Sequence, residues 1–157
     1  MRIVQTAGAL ALAIPFVATA ADPAQLKAGR WEETMTMTGM TFNGAPVPIS
    51  GAPQDTKSRF VCIDAEEAID PAKHFLSIGQ EGKCVPNGMV SEGRIHVIGQ
   101  CTTEKFGSML ITGTGTYRFA TYDVGVKMTA KLKDRPVAIS MTAKGRYVGA
   151  CDGSEVQ

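Results

Sequence analysis

Four cysteines, two histidines and two pairs of adjacent glutamates are the residues of this chain best suited to bond formation, metal binding or proton transfer, and their spacing narrows what they can do. Cys62, Cys84, Cys101 and Cys151 contain no C-x-x-C, and neither His74 nor His96 stands at ligand spacing from a cysteine, so no metal site is expected. An even cysteine count reads instead as two disulfides. The expected pairing is sequential, Cys62 with Cys84 and Cys101 with Cys151, closing loops of about 23 and 51 residues for roughly 3 to 4 kcal/mol each on a chain-entropy basis. One competitor stands beside it. If Glu92-Gly93 is a two-residue turn, the flanking strands place Cys84 opposite Cys101 at a non-hydrogen-bonded position, where side chains come close enough to cross-link.

The remaining candidates point away from catalysis. Glu32-Glu33 and Glu66-Glu67 are acidic pairs, but adjacent residues on a strand face opposite ways and cannot supply the two carboxylates a glycosidase sets across a cleft. Gly113-Thr114-Gly115-Thr116 lacks the third glycine and the following helix of a phosphate loop. There is no G-x-S-x-G elbow. His74 and His96 read as partly exposed structural residues. No enzyme activity, catalytic residue or cofactor is expected. Trp31, the single tryptophan, reads as a core anchor or as the rim of a ligand cavity, and Glu33 shares its face, where Arg30, Arg59 or Arg146 would be its partner. Met128 and Met141 join Trp31 and Glu33 as candidate ligand-binding residues, because they stand on the apolar rows of later strands.

Those residues need a sheet to hold them. Arg30 to Thr38 alternates strictly, with Trp31, Glu33, Met35 and Met37 on one face, which predicts a half-buried strand. Met40 to Gln54, rich in Pro and Gly, predicts a loop or loose hairpin. Thr56 to Ile63 returns to strand character. Asp64 then offers a helix N-cap with Glu67 as capping-box partner, Asp70-Pro71 interrupts, and Ala72 to Ile78 could add a turn or two burying Phe75 and Leu76. Strands follow near Lys83–Val90, Arg94–Cys101, Ser108–Phe119, Thr121–Leu132 and Pro136–Val148. The rows Val124, Val126, Met128, Ala130, Leu132 and Val137, Ile139, Met141, Ala143 are expected to be buried. The fold class is mainly β: a single curved antiparallel β-meander sheet of about seven strands, half-barrel-like, with one short helix after the second strand. A packed interior near the helix and an open cavity toward Trp31 are expected.

Residues 1–20 read as a secretory signal peptide: Arg2, an apolar run from Ile3 to Val17, and Ala18-Thr19-Ala20 as the cleavage site. Residues 21–157 would then be a single exported β-rich domain, periplasmic or secreted, with no stable membrane insertion. Sixteen basic residues against fifteen acidic ones give no electrostatic pull toward nucleic acid. An aromatic fraction of 6% offers no base-stacking platform.

The order of landmarks resembles a known family. Gly29-x-Trp31-Glu32 opens the domain, Cys62 precedes Asp64-Ala65-Glu66-Glu67-Ala68, Cys84 and Cys101 bracket a hairpin, and Gly145-Arg146-Tyr147-Val148-Gly149-Ala150-Cys151 closes it. This is similar to the bacterial domain of unknown function 3617, small exported four-cysteine proteins, from about Leu26 to Cys151. Ala28 stands where that family often has Pro. The resemblance implies an exported location and a shared framework, and carries no activity. The expected function is a non-enzymatic module that binds an apolar small molecule or a periplasmic protein partner in the concave face of the sheet. The alternative is an envelope protein inhibitor or stress factor acting through an exposed loop, Met40 to Gln54.

Overall fold

The computed structural model describes residues 25–49, 56–78, 83–104 and 107–155; the signal-peptide reading lies outside them. Its elements run β1 (Gly29–Phe42), β2 (Ala45–Pro46), β3 (Thr56–Ile63), α1 (Ala65–Ile69), α2 (Ala72–Ser77), β4 (Lys83–Ser91), β5 (Arg94–Thr103), β6 (Gly107–Arg118), β7 (Thr121–Leu132) and β8 (Arg135–Gly149). All strands join one open antiparallel sheet ordered β2-β1-β8-β7-β6-β5-β4, with β3 also paired to β1. The expected mainly β, single-sheet fold is observed, with two short helices in place of one. The helix N-cap also forms, with Asp64 Oδ1 accepting from the Glu67 N–H at 2.8 Å.

Turn chemistry sets the registers. Asn43, Glu92-Gly93, Gly44 and Lys133-Asp134 all take positive φ, the conformation two-residue hairpin turns require because it matches the twist of the flanking strands. The Glu92-Gly93 turn therefore sets Cys84 directly opposite Cys101. Met40 to Phe42 belong to β1, which pairs with β2 across Asn43-Gly44, so the expected loop is a hairpin over residues 40–46; residues 50–54 lie outside the described segments.

The topology explains the helices. β3 lies at one edge of the sheet and β4 at the other, so the chain between them must cross a sheet face. It does so as α1 and α2, and α2 packs on β4, β5 and β6. That inner face carries the core: Trp31, Phe75, Leu76, Ile78, Val97, Ile111 and Val124 are all fully buried. Room for the helix comes from small residues, since a Cβ on Gly99 would stand 2.7 Å from Leu76 Cδ1.

The disulfides are Cys62–Cys151 and Cys84–Cys101. The sequential pairing expected from the chain is thus corrected. The reason is topological: β1 runs between β3 and β8, with Arg30 opposite both Cys62 and Gly149. Cys151, just past the end of β8, reaches over the β1 end to Cys62, at a Cα–Cα distance of 5.6 Å. No helix among the described residues is long and apolar enough to cross a membrane.

Candidate functional site

Cross-strand pairing puts Trp31, Glu33, Met128 and Met141 on the same inner face, in two unlike regions. The first is polar and closed. Glu33 on β1 is 0% exposed, and it is buried with partners, as an internal carboxylate must be. Its Oε2 accepts from Arg59 Nε of β3 at 2.5 Å, the two residues being directly opposite in the β1–β3 register. Its Oε1 accepts from the Tyr122 hydroxyl at 2.5 Å. His74 Nε2 of α2 lies 3.2 Å from the same hydroxyl and 3.7 Å from Glu33 Oε1. A phenol has one proton, and since Tyr122 donates it to Glu33 Oε1, its oxygen is left to accept from a neutral His74 that carries its hydrogen on Nε2.

Burial dominates the protonation of this cluster. Desolvation holds the His74 pKa below its ordinary value, opposed by the Glu33 charge and reinforced by Arg59. Desolvation raises the Tyr122 phenol far above its usual range, and the Glu33 charge and hydrogen bond push the same way. His74 is therefore neutral at physiological pH. The expectation of a partly exposed His74 is corrected: it is 6% exposed, because α2 turns it under the sheet. His96 is exposed on the outer face.

Aromatic rings seal the cluster. Trp31 stacks on Tyr122 with centroids 5.5 Å apart and meets Tyr147 edge-on at 6.2 Å. Its Nε1 donates to the Lys27 carbonyl at 2.9 Å, and Phe75 packs edge-on against Tyr122 at 5.2 Å. Trp31 is 0% exposed, so the expected opening toward it is not there; Leu26 and Lys27, bonded to the Ala68 and Phe119 carbonyls, close that end. Trp31 and Glu33 are fully buried in the core of the face.

The second region is apolar and lies beyond the helices, on β1, β8 and β7. Met37 faces Met141, Met40 faces Ile139, and Phe42 faces Val137; Ile139 in turn faces Met128. Met128 is 8% exposed, while Met35, Met37, Met40, Phe42, Ile139 and Met141 are half-buried. Met40 and Phe42 reach this face through a β-bulge. Pairing shifts by one residue between Met37 and Gly39, and without that shift an odd spacing of three would send Met40 to the outer face. The sequence reading missed Met40 for this reason, and missed the roles of His74 and Tyr122 because a helix from elsewhere in the chain brings one to the other. Tyr122 does share the parity of Val124 and Val126, which was the available signal.

A third feature is a shallow notch at α1 lined by Asp64, Glu66, Glu67, Asp70 and Lys73. Partial burial and the Asp64 charge raise the Glu67 pKa. Among the described residues no group of three His, Cys, Asp or Glu side chains is placed to hold a metal ion.

No curated protein and no solved structure matches the chain. The family described as protein of unknown function (DUF3617) matches residues 26–151, a span that takes in both disulfides, the closed polar cluster and the methionine face. The match covers most of the chain, and the chain belongs to the DUF3617 family.

Proposed function

We propose that the protein is a non-enzymatic, exported binding module that takes an apolar or amphipathic small molecule on the open region of its inner face. The observation that carries this reading is the half-buried row Met37, Met40, Phe42, Ile139 and Met141 beyond the reach of α2. Flexible thioether side chains adapt to irregular apolar shapes, and a contiguous apolar surface left beside a packed core is the usual form of a ligand groove. The closed cluster supports the non-enzymatic part: its acid, histidine and phenol are occupied with one another and shielded from solvent. Export and cleavage after Ala20 rest on the signal-peptide pattern, and the two disulfides fit an oxidising compartment.

Titration of the mature, disulfide-intact protein with an apolar fluorescent dye tests the reading. Saturable uptake is expected, and Met40→Glu, which places a charge at the rim, should abolish it without unfolding the protein. A parent protein that takes up no dye, and carries no small molecule in native mass spectrometry after purification from periplasm, would sink the proposal.

A second reading has its own observation. On the outer face at the β4 edge, Val85 and Met89 are 73% and 69% exposed, with Ile98 and Leu110 on β5 and β6 beside them at 39% and 46%. Apolar side chains at a sheet edge suit strand addition by a protein partner. Val85→Lys with Met89→Lys should then remove a partner recovered by cross-linking in periplasm while leaving dye uptake intact; a cross-linked partner that persists in that variant excludes this surface.

A further inference from the structure

Methionine sulfur is a soft ligand as well as an apolar one. Soft thioethers select monovalent copper over the hard divalent ions that prefer oxygen. The chain carries Met35-Thr36-Met37-Thr38-Gly39-Met40, three methionines within six residues. On a regular strand Met40 would face away from the other two. The bulge between Met37 and Gly39 brings it back, so that all three stand on the inner face. Met141 of β8 is directly opposite Met37, a position where β-carbons are about 4.5 to 5.5 Å apart. Met40 is diagonal to Met141 through its partner Ile139. Met128 on β7 also pairs with Ile139 and lies diagonal to Met141 from the other side. Five methionines thus stand on one face across three adjacent strands, with Met37, Met40 and Met141 as direct or diagonal neighbours and Met35 and Met128 on either side of them.

We propose that Met37, Met40 and Met141 form a thioether site for a soft monovalent cation, Cu(I), with Met35 and Met128 flanking it. Accessibility favours these three. Met35 and Met141 pack against the core, while Met37 and Met40, half-buried, lie outside it on the open side, and Met141 joins the two populations. No thiolate competes for the ion, because all four cysteines are in disulfides and none is free. The two histidines are elsewhere, His74 under α2 and His96 on the outer face. Met37 and Met141 pair with each other, Met40 pairs with Ile139 and Met141 also pairs with Val126, and none of these partners titrates. Binding through groups that carry no proton should be independent of pH, unlike a site of thiolates or imidazoles.

This site occupies the region proposed for an apolar ligand but does not rest on that reading, and leucine separates the two, since it keeps the face apolar and removes the sulfur. The oxidised, signal-free protein would be titrated against the coloured Cu(I) complex of bicinchoninate under ascorbate, and separately with Ag(I), which needs no reductant. Stoichiometric withdrawal of Cu(I) is expected, with the same affinity at pH 5.5 and at pH 7.5 within about a factor of two. Met37→Leu with Met141→Leu should weaken it by more than about tenfold, since the loss of a direct ligand exceeds that of the outer contacts that cost 10- to 100-fold. That variant should keep the parent's melting temperature and dye uptake, and Met40→Leu provides a milder test at the rim. Met89→Leu on the outer face should change nothing. Failure to withdraw Cu(I), an affinity that falls steeply with acid, or parent-like binding in the Met37/Met141 variant would each overturn the proposal.

Discussion

At the scale of single residues, the placement of Glu33 organises the closed half of the sheet. A carboxylate fully removed from water survives there because Arg59 and Tyr122 each donate to one of its oxygens. Removing the acid leaves a guanidinium and a phenol facing a void. Glu33→Ala should therefore cost about 3 to 5 kcal/mol in denaturant unfolding, as expected when one member of a buried pair is deleted. A loss below about 1 kcal/mol would mean that water replaces the carboxylate freely. His74 sets a pH dependence. The unfolded chain binds its proton near pH 6.5, whereas burial makes the folded protein resist it. Below that pH the unfolded state takes up more protons, so stability is fully present above about pH 6.5 and falls as the solution is acidified. His74→Gln should flatten the difference between stability at pH 7 and pH 5, and equal slopes in both proteins would rule out the histidine as the source. Arg59 was among the partners legible in the sequence, since alternation places Glu33 inward and an inward acid needs a cation. His74 as a neighbour was not legible, because no local pattern says where a short helix will cross a sheet.

At the scale of elements, turns and close contacts decide register. Lys133 and Asp134 occupy a two-residue turn with φ of 50° and 62°, a conformation that costs a residue bearing a Cβ roughly 1 kcal/mol or more. Lys133→Asn with Asp134→Gly should raise stability by about 1 to 2 kcal/mol, read from the thermal midpoint; no gain would indicate that the turn relaxes in solution. Gly145 has the opposite character. It sits directly across from Tyr122, and a Cβ there would stand 2.0 Å from the ring. Gly145→Ala should displace the ring, weaken its bond to Glu33 and cost about 2 to 3 kcal/mol by overpacking. Strand positions were read well from alternation: Thr56–Ile63 and Thr121–Leu132 have the expected limits. β1 was read short, ending at Thr38 in place of Phe42, because the bulge there breaks the period-two pattern that identifies a strand.

At the scale of the whole molecule, the two disulfides do different things. Cys84–Cys101 pins one hairpin across 17 residues, and Cys62–Cys151 ties β3 to the end of the chain across 89. On loop entropy the first contributes about 3 kcal/mol and the second about 4 to 5 kcal/mol. Removing Cys62 and Cys151 together should therefore lower the melting temperature more than removing Cys84 and Cys101, and peptide mapping without reduction should recover these two pairs; the sequential pairs in that map would refute the topology. The sequence by itself determined the fold class, most strand positions and the helix N-cap, because each depends on residues near one another in the chain: alternation and capping are local. It offered Cys84 opposite Cys101 only as the competitor to the sequential pairing, conditional on a two-residue turn at Glu92-Gly93. Only the tertiary structure decided that β1 inserts between β3 and β8, that Cys62 meets Cys151, that His74 reaches Glu33 through Tyr122, and that among the described residues Met37, Met40 and Phe42 are half-buried while Trp31 is fully buried. Those outcomes depend on where the connection from β3 to β4 crosses the sheet, and that path is set by which face buries most apolar surface once all strands are paired, a property of the assembled sheet that no single segment carries.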